Sequence, residues 1–191
     1  MPDGSRIGAP PVRADVLTIP NAISLARICA VPATVWLVLH GHSLLAFALF
    51  AGAGISDGID GWLARREGPT RIGMLLDPLA DKALVVSAYV TLAAVGEVRD
   101  WLAMLVVFRD VMIVGGVLVL TVLDQRVEIR PLLLSKANTV LQIGLIALAL
   151  LRAGSVAVPP MVIDVLTALV AASTLASGGA YALQVARGSA G

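Results

Sequence analysis

Charge is what this chain has least of. Asp, Glu, Lys and Arg together make up 14% of its 191 residues, against about 25% in soluble domains. A soluble fold of that size could not hide a composition that is 58% hydrophobic, so the natural solvent for the chain is lipid. Aromatic residues are scarce, at 4%, and no basic tract is interleaved with them. A net charge of +1 implies no general attraction to nucleic acid. The single cysteine, Cys29, lies in an apolar run. That excludes a disulfide framework and a cysteine-based metal site, and Cys29 reads as apolar filler. Residues 1–16 are polar and rich in Pro, Gly and Arg, without the apolar core and cleavage site of a secretory signal. They are expected to form a flexible cytoplasmic tail.

What the chain has in quantity is long apolar segments. Six can be drawn: Ile23 to Leu39, Leu44 to Leu63, Met74 to Val95, Trp101 to Leu123, Ser135 to Leu151 and Pro160 to Val185. Each approaches the 20 or so residues a helix needs to cross hydrocarbon. The expected fold is all-α, a polytopic membrane protein of six transmembrane helices, with one membrane domain over 17–187 and a short tail at 188–191. Short connections predict that consecutive helices pack as antiparallel neighbours. With the N-terminus in the cytoplasm, every basic residue except Arg99, Arg109 and Arg152 falls on or near the inner side. An even number of spans returns the C-terminus there. Trp36 and Trp101 sit near span ends and read as interface anchors. His40 and His42 flank the first outer turn and read as interfacial decoration, since no carboxylate or cysteine is near in sequence.

The informative stretch runs from Ser56 to Lys82 and holds Asp57, Asp60, Asp77 and Asp81. Insertion scales charge about 2.5–3.5 kcal/mol for such a group at mid-span, so four carboxylates need a reason. Asp57 and Asp60 are three apart, and Asp77 and Asp81 four apart. Each pair therefore shares one face of its own helix. Counting about 1.5 Å per residue from the outer ends puts both pairs roughly 20 Å down, towards the cytoplasmic side. A short turn would make the two helices neighbours and let the pairs face each other. Four like charges in a small space call for protonation or for cations. Oxygen-only ligands point to hard ions such as Mg²⁺, Mn²⁺ or Ca²⁺, and four carboxylates could bridge two of them, as in-line displacement at phosphorus requires. Gly58, Gly61 and Gly73 would leave backbone bare for a pyrophosphate. Ala64 keeps the same face narrow, Arg65 can reach a phosphate with its planar fork, and Thr70 offers a hydroxyl in the turn. The same small residues also serve ordinary helix packing in membranes, and an isolated aspartate pair would equally suit a proton or cation pathway.

Taken together, Asp57-x-x-Asp60-Gly61-x-x-Ala64-Arg65 followed by Gly73-x-x-x-Asp77-x-x-x-Asp81 resembles the signature of the CDP-alcohol phosphatidyltransferases. Seven residues separate Arg65 from Gly73 where eight is usual; the missing one falls in the turn, so each helix keeps its register. Ile19-Pro20-Asn21 with Ser24 and Arg27, Arg109-Asp110-Val111-Met112, and Ser135-Lys136-Ala137-Asn138-Thr139 are similar to further motifs of that family. The resemblance implies a six-helix membrane fold, usually a homodimer, with the active site open to the cytoplasm. It implies that Asp57, Asp60 and Asp77 bind metal, Mg²⁺ or Mn²⁺. Asp81 would touch metal and act as general base on the acceptor hydroxyl. Gly61, Ala64, Arg65, Thr70 and Gly73 would line the CDP site. The donor would be CDP-diacylglycerol and the leaving group CMP.

The acceptor is read from two cations. Arg109 lies within the fourth span and Lys136 opens the fifth, where cations are expensive unless they serve a cavity. They are expected to bind an anionic acceptor, with a structural pairing of Arg109 and Asp110 as the other reading. Lys82 either binds substrate or snorkels to the interface. Phosphatidylglycerol and glycerol 3-phosphate both suit such a pocket. The Arg-Asp and Ser-Lys-x-Asn wording resembles the mitochondrial-type cardiolipin synthases of the family. Phosphatidylglycerophosphate synthases more often carry Arg-Glu and a second lysine in place of Asn138. One cation fewer suits a singly charged phosphodiester, so phosphatidylglycerol is preferred. A small ion or proton transporter using the aspartates is the competing class, but it offers no reason for Gly61, Ala64, Arg65 and Gly73 at these intervals.

Overall fold

The computed structural model describes residues 19–67, 73–122 and 133–188, with side chains described for 25–56, 79–113, 115 and 134–181. The expected N-terminal tail lies outside them. The described residues form six helices and no strand: α1 (Ile19–Leu39), α2 (Ser43–Glu67), α3 (Gly73–Ala94), α4 (Asp100–Val122), α5 (Leu133–Ala153) and α6 (Pro160–Gly188). The apolar segments predicted these elements to within a few residues at either end. The helices run 21 to 29 residues, about 31 to 44 Å at 1.5 Å per residue.

Three hairpins are closed at one end by the same device. After α1, the N–H of Gly41 donates to the Val38 carbonyl (3.1 Å) and that of His42 to Leu37 (2.8 Å). After α3, Gly96 donates to Ala93 (2.9 Å) and Glu97 to Leu92 (2.8 Å). After α5, Ser155 donates to Arg152 and Val156 to Leu151, both at 3.0 Å. Each is a Schellman cap, which satisfies carbonyls the helix end would otherwise orphan and requires a left-handed residue. Gly41 and Gly96 supply it at φ 77°, and Ser155 takes it without being glycine, at φ 66°. The next helices start with matching chemistry. Asp100 sits in the first turn of α4, where the helix dipole favours an anion, and Pro160 opens α6 where its missing N–H does no harm.

α1 and α2, α3 and α4, and α5 and α6 pack as pairs, as short connections predict. Among the described residues α1 also lies against α3, α2 against α5, α4 against α6, and α3 reaches α5. The expected meeting of α2 and α3 at their joined ends falls on 57–78, outside the described side chains. A short connection limits how far apart two helix ends are, but the apolar faces decide which flanks meet.

The interior mixes two kinds of residue. Tyr89 and Leu92 of α3, Leu102 and Val106 of α4, Leu145, Ile146 and Leu150 of α5, and Val170 of α6 are fully buried. So are Asn138 and Gln142, and Arg27, Arg109 and Asp110 are nearly so. Meanwhile Trp36, Met104, Phe108, Val140 and Met161 are more than half exposed. Two helical stretches, Leu134–Ala153 and Pro160–Tyr181, are long and apolar enough to cross a membrane. α1 and α2 contribute shorter apolar stretches, Leu25–Leu39 and Ser43–Ser56. The expected number of helices is met, and among the described residues two of them are long and apolar enough to span.

Ser155 holds the left-handed cap position against its own Cβ, a conformation that costs about 1–2 kcal/mol for a residue with a side chain. Ser155→Gly is expected to raise the unfolding midpoint in detergent. A midpoint that stays level or falls would show that the cap carries no such strain.

Candidate active site

Ionisable groups gather at the end where α1, α3 and α5 begin and α2, α4 and α6 finish. The centre of the arrangement is a pair of consecutive residues on α3. Successive helix positions point about 100° apart, so Asp81 and Lys82 face different neighbours. Asp81 turns to α1, where Arg27 Nη1 donates to its Oδ1 at 2.6 Å. Lys82 turns to α4, where its Nζ lies 2.8 Å from Asp110 Oδ1. α3 is thus tied on two sides within one turn.

The tie continues inward. Arg109, beside Asp110 in sequence, bonds the same oxygen through Nη1 at 2.7 Å. Its Nη2 donates to Ser135 Oγ of α5 at 2.7 Å and to Ser177 Oγ of α6 at 2.6 Å. One turn further along α5, Asn138 Oδ1 accepts from Ser173 at 2.8 Å and Thr174 at 2.9 Å. The Tyr89 hydroxyl donates to the Gln142 carbonyl at 3.2 Å. Four helices are therefore linked by side-chain hydrogen bonds around an Asp110 that is only 2% exposed. The Asp81 carboxylate differs, its side chain being 43% exposed.

Of the expected site residues, Asp81, Arg109 and Lys136 have described side chains. Asp57, Asp60, Gly61, Ala64 and Arg65 lie on the helical backbone of α2, and Gly73 and Asp77 on that of α3. Their side chains fall outside the described residues, and Thr70 does so entirely. Both aspartate pairs thus keep the three- and four-residue helical spacing on which the expectation rested. Among the described residues no group of three or more His, Cys, Asp or Glu is placed to hold a metal ion; of the expected ligand set only Asp81 is described.

The cations sort differently from their sequence reading. Arg109 was expected to face an anionic acceptor, but it is 4% exposed and both terminal nitrogens are engaged within the protein. The alternative pairing with Asp110 is the one found, because burying a guanidinium demands a counter-charge close by. Lys82 neither snorkels nor stands open; it is paired with Asp110. Lys136 is exposed at the start of α5. Sequence reasoning gave Asp110 only the part of Arg109's counter-charge and gave Ser177 none. The available signal for Asp110 was a second ionisable residue in a mid-span position. For Ser177 it was a run of small hydroxyl residues, Thr167, Thr174 and Ser177, at helical spacing.

At the opposite end, ionisable groups pair across the hairpin turns. Arg152 donates to Glu97 at 2.8 Å and Arg99 to Asp164 at 3.2 Å. His40 stacks on Trp36 with ring centroids 4.4 Å apart, and its Nδ1 donates to the Trp36 carbonyl. Those contacts agree with interfacial roles and bring no chemistry with them.

Residues 17–176 match the family described as CDP-alcohol phosphatidyltransferase. The chain is similar to a rice chloroplastic CDP-diacylglycerol–glycerol-3-phosphate 3-phosphatidyltransferase, with 34% identity covering 88% of this chain and 57% of that protein. It is similar to a probable CMP-forming cardiolipin synthase of Drosophila melanogaster, with 33% identity covering 72% of this chain and 48% of the relative. A CMP-forming cardiolipin synthase of Streptomyces coelicolor shows 37% identity over 59% of this chain and 57% of its own length. The chain spans about half the length of these relatives.

Removing Arg109 would strand Asp110 as a buried charge with one partner fewer. Arg109→Ala is expected to destabilise the fold by about 3–5 kcal/mol, and Ser177→Ala by about 1–2 kcal/mol for one charge-assisted hydrogen bond. Unfolding midpoints in detergent measure both. Equal midpoints for Arg109→Ala and the parent would mean that the network adds no stability.

Proposed function

This chain belongs to the CDP-alcohol phosphatidyltransferase family, and on that premise we propose that it transfers a phosphatidyl group from CDP-diacylglycerol to an acceptor hydroxyl. The observation that carries the reading is the half-exposed Asp81 carboxylate, on a helix that also bears Asp77, at the end where α2 brings Asp57 and Asp60. The donor chemistry fits divalent metal: carboxylate oxygens only, on two helices entering one end, suited to Mg²⁺ or Mn²⁺. Asp57, Asp60, Asp77 and Asp81 would hold the ions, which when bound supply neutralisation of the pyrophosphate charge. Gly61, Ala64, Arg65, Thr70 and Gly73 would receive the CDP moiety.

In the reaction, the acceptor oxygen forms a bond to the phosphatidyl phosphorus as the bond to the CMP oxygen breaks. Asp81 takes the hydroxyl proton, and CMP leaves with the electron pair. A carboxylate is a weak base for an alcohol, so it acts as the P–O bond forms, with the hydroxyl held within hydrogen-bond reach. Arg109 takes a supporting part, fixing α4 against α5 and α6, while the exposed Lys136 offers charge to the acceptor's anion. Among the described residues Lys136 is the exposed cation at the start of α5, and a single charge there favours a phosphodiester, hence phosphatidylglycerol and a cardiolipin product. Glycerol 3-phosphate is the second reading, supported by the likeness to the rice glycerol-3-phosphate 3-phosphatidyltransferase.

The bundle is read as crossing a membrane six times, with both termini and the active site cytoplasmic. Helix lengths of about 31 Å or more and the apolar exterior support this. The proposed unit is one membrane domain over 17–187, assembled as a homodimer.

The deciding assay supplies purified protein with CDP-diacylglycerol, Mn²⁺ or Mg²⁺, and each acceptor in turn. CMP release is expected, with the lipid product naming the acceptor. Asp81→Asn is expected to lower turnover by about 10³-fold, within the range of general base catalysis, while nucleotide binding survives. Normal turnover in that variant removes Asp81 as base. Ion flux in vesicles without nucleotide would favour the transporter instead.

A further inference from the structure

Asp110 stands outside the signature, yet it is the most buried charged residue among the described residues, 2% exposed against 3% for Arg27 and 4% for Arg109. Two cations converge on its Oδ1, Lys82 from α3 at 2.8 Å and Arg109 at 2.7 Å. Its Oδ2 is buried without a hydrogen-bond partner among the described residues. The carboxylate is therefore held in place by charge rather than by a shell of neutral donors. Arg109 anchors it to α5 and α6 through Ser135 and Ser177. Asp110 is thus a rigid post, and what it grips on the far side is the residue directly after Asp81.

That gives the contact a geometric consequence. A helix packed on one flank by apolar side chains can still rotate or slide slightly. α3 is gripped towards α1 at Asp81 and towards α4 at Lys82, about 100° around the axis. Two grips in one turn fix both rotation and depth. Asp77 lies one turn before Asp81 on the same helix, so the setting of α3 fixes the backbone position of both residues. We propose that Asp110 is a positioning residue: through Lys82 it sets the orientation of the α3 carboxylates that are to bind metal. This rests on the metal-binding reading of Asp77 and Asp81.

The test uses the full chain purified in detergent, as the parent protein, Asp110→Asn, Lys82→Met, the double variant and Asp110→Glu. Mn²⁺ affinity is measured by electron paramagnetic resonance without substrate, alongside CMP release, unfolding midpoint and labelling of Lys82 by an amine reagent. Asp110→Asn and Lys82→Met are each expected to weaken Mn²⁺ binding by about tenfold, the scale at which support of metal ligands operates. The double variant should be no weaker than the worse single one, because both cut the same contact. Asp110→Glu should recover part of the affinity, and Lys82 should label faster in Asp110→Asn. A lowered midpoint with parental Mn²⁺ affinity in the folded protein would overturn the proposal, as would additive losses in the double variant. If Asp110→Asn does not fold, Lys82→Met cuts the contact from its partly exposed side, 32% exposed, and decides alone. Parent protein that binds Mn²⁺ but releases no CMP with any acceptor sinks the enzymatic reading and leaves the positioning test standing. Parent protein that binds no Mn²⁺ ends both.

Discussion

A charge inside an apolar bundle must find its counter-charge within the bundle, and this constraint shapes one whole end of the molecule. Arg27 meets Asp81, and Lys82 and Arg109 share Asp110. Each of these contacts joins helices or stiffens a junction between them, so neutralising the charges also sets the mutual placement of α1, α3, α4, α5 and α6. Apolar packing alone would leave that placement loosely specified, since one Leu or Val surface slides over another at little cost. An ion pair at 2.6–2.8 Å does not slide. Buried pairs are weak as a source of net stability but effective in selecting one arrangement over its near alternatives.

The two ends of the bundle spend their polar residues differently. At the end that carries the α1–α2, α3–α4 and α5–α6 turns, three Schellman caps close the hairpins and ionisable groups pair across the turns, as with Arg152 and Glu97. Exposed pairs of this kind, such as Arg99 with Asp164, contribute little energy. They belong to turns, and the turns carry no further demand. At the other end polar groups penetrate between helices, down to Asn138, Gln142 and Tyr89. A polar interior beneath an apolar exterior is costly to assemble, and it is found where chemistry on a charged substrate is expected.

For a phosphatidyl transfer the asymmetry has a direct use. The lipid donor can stay with its tails in hydrocarbon while its pyrophosphate reaches the end where the aspartates lie. On the proposed reading the carboxylates would then have to hold still, since they would bind metal and one of them would receive a proton. A helix tied at two adjacent positions meets that need better than a loop would. Engaging Arg109 inside the protein also leaves the exposed Lys136 as the cation open to an anionic acceptor among the described residues, which is the electrostatic basis for preferring a singly charged one.

Much of this was legible in the residues. The six helices followed from apolar length. Aspartate spacing along α2 and α3 carried the chemistry, since helical periodicity turns intervals of three and four into a shared face. What the residues left open were the partners. Arg109 bonds residues 26 and 68 positions away, and Arg27 bonds one 54 away. A cation in an apolar segment announces that it needs an anion, but a ligand and a neighbouring helix satisfy that need equally. Likewise, a short turn does not say which further helix each hairpin packs against. Local order is written in periodicity and capping, which act over a few residues. The choice of neighbour and counter-charge is a competition among all six helix surfaces at once, and only the assembled bundle resolves it.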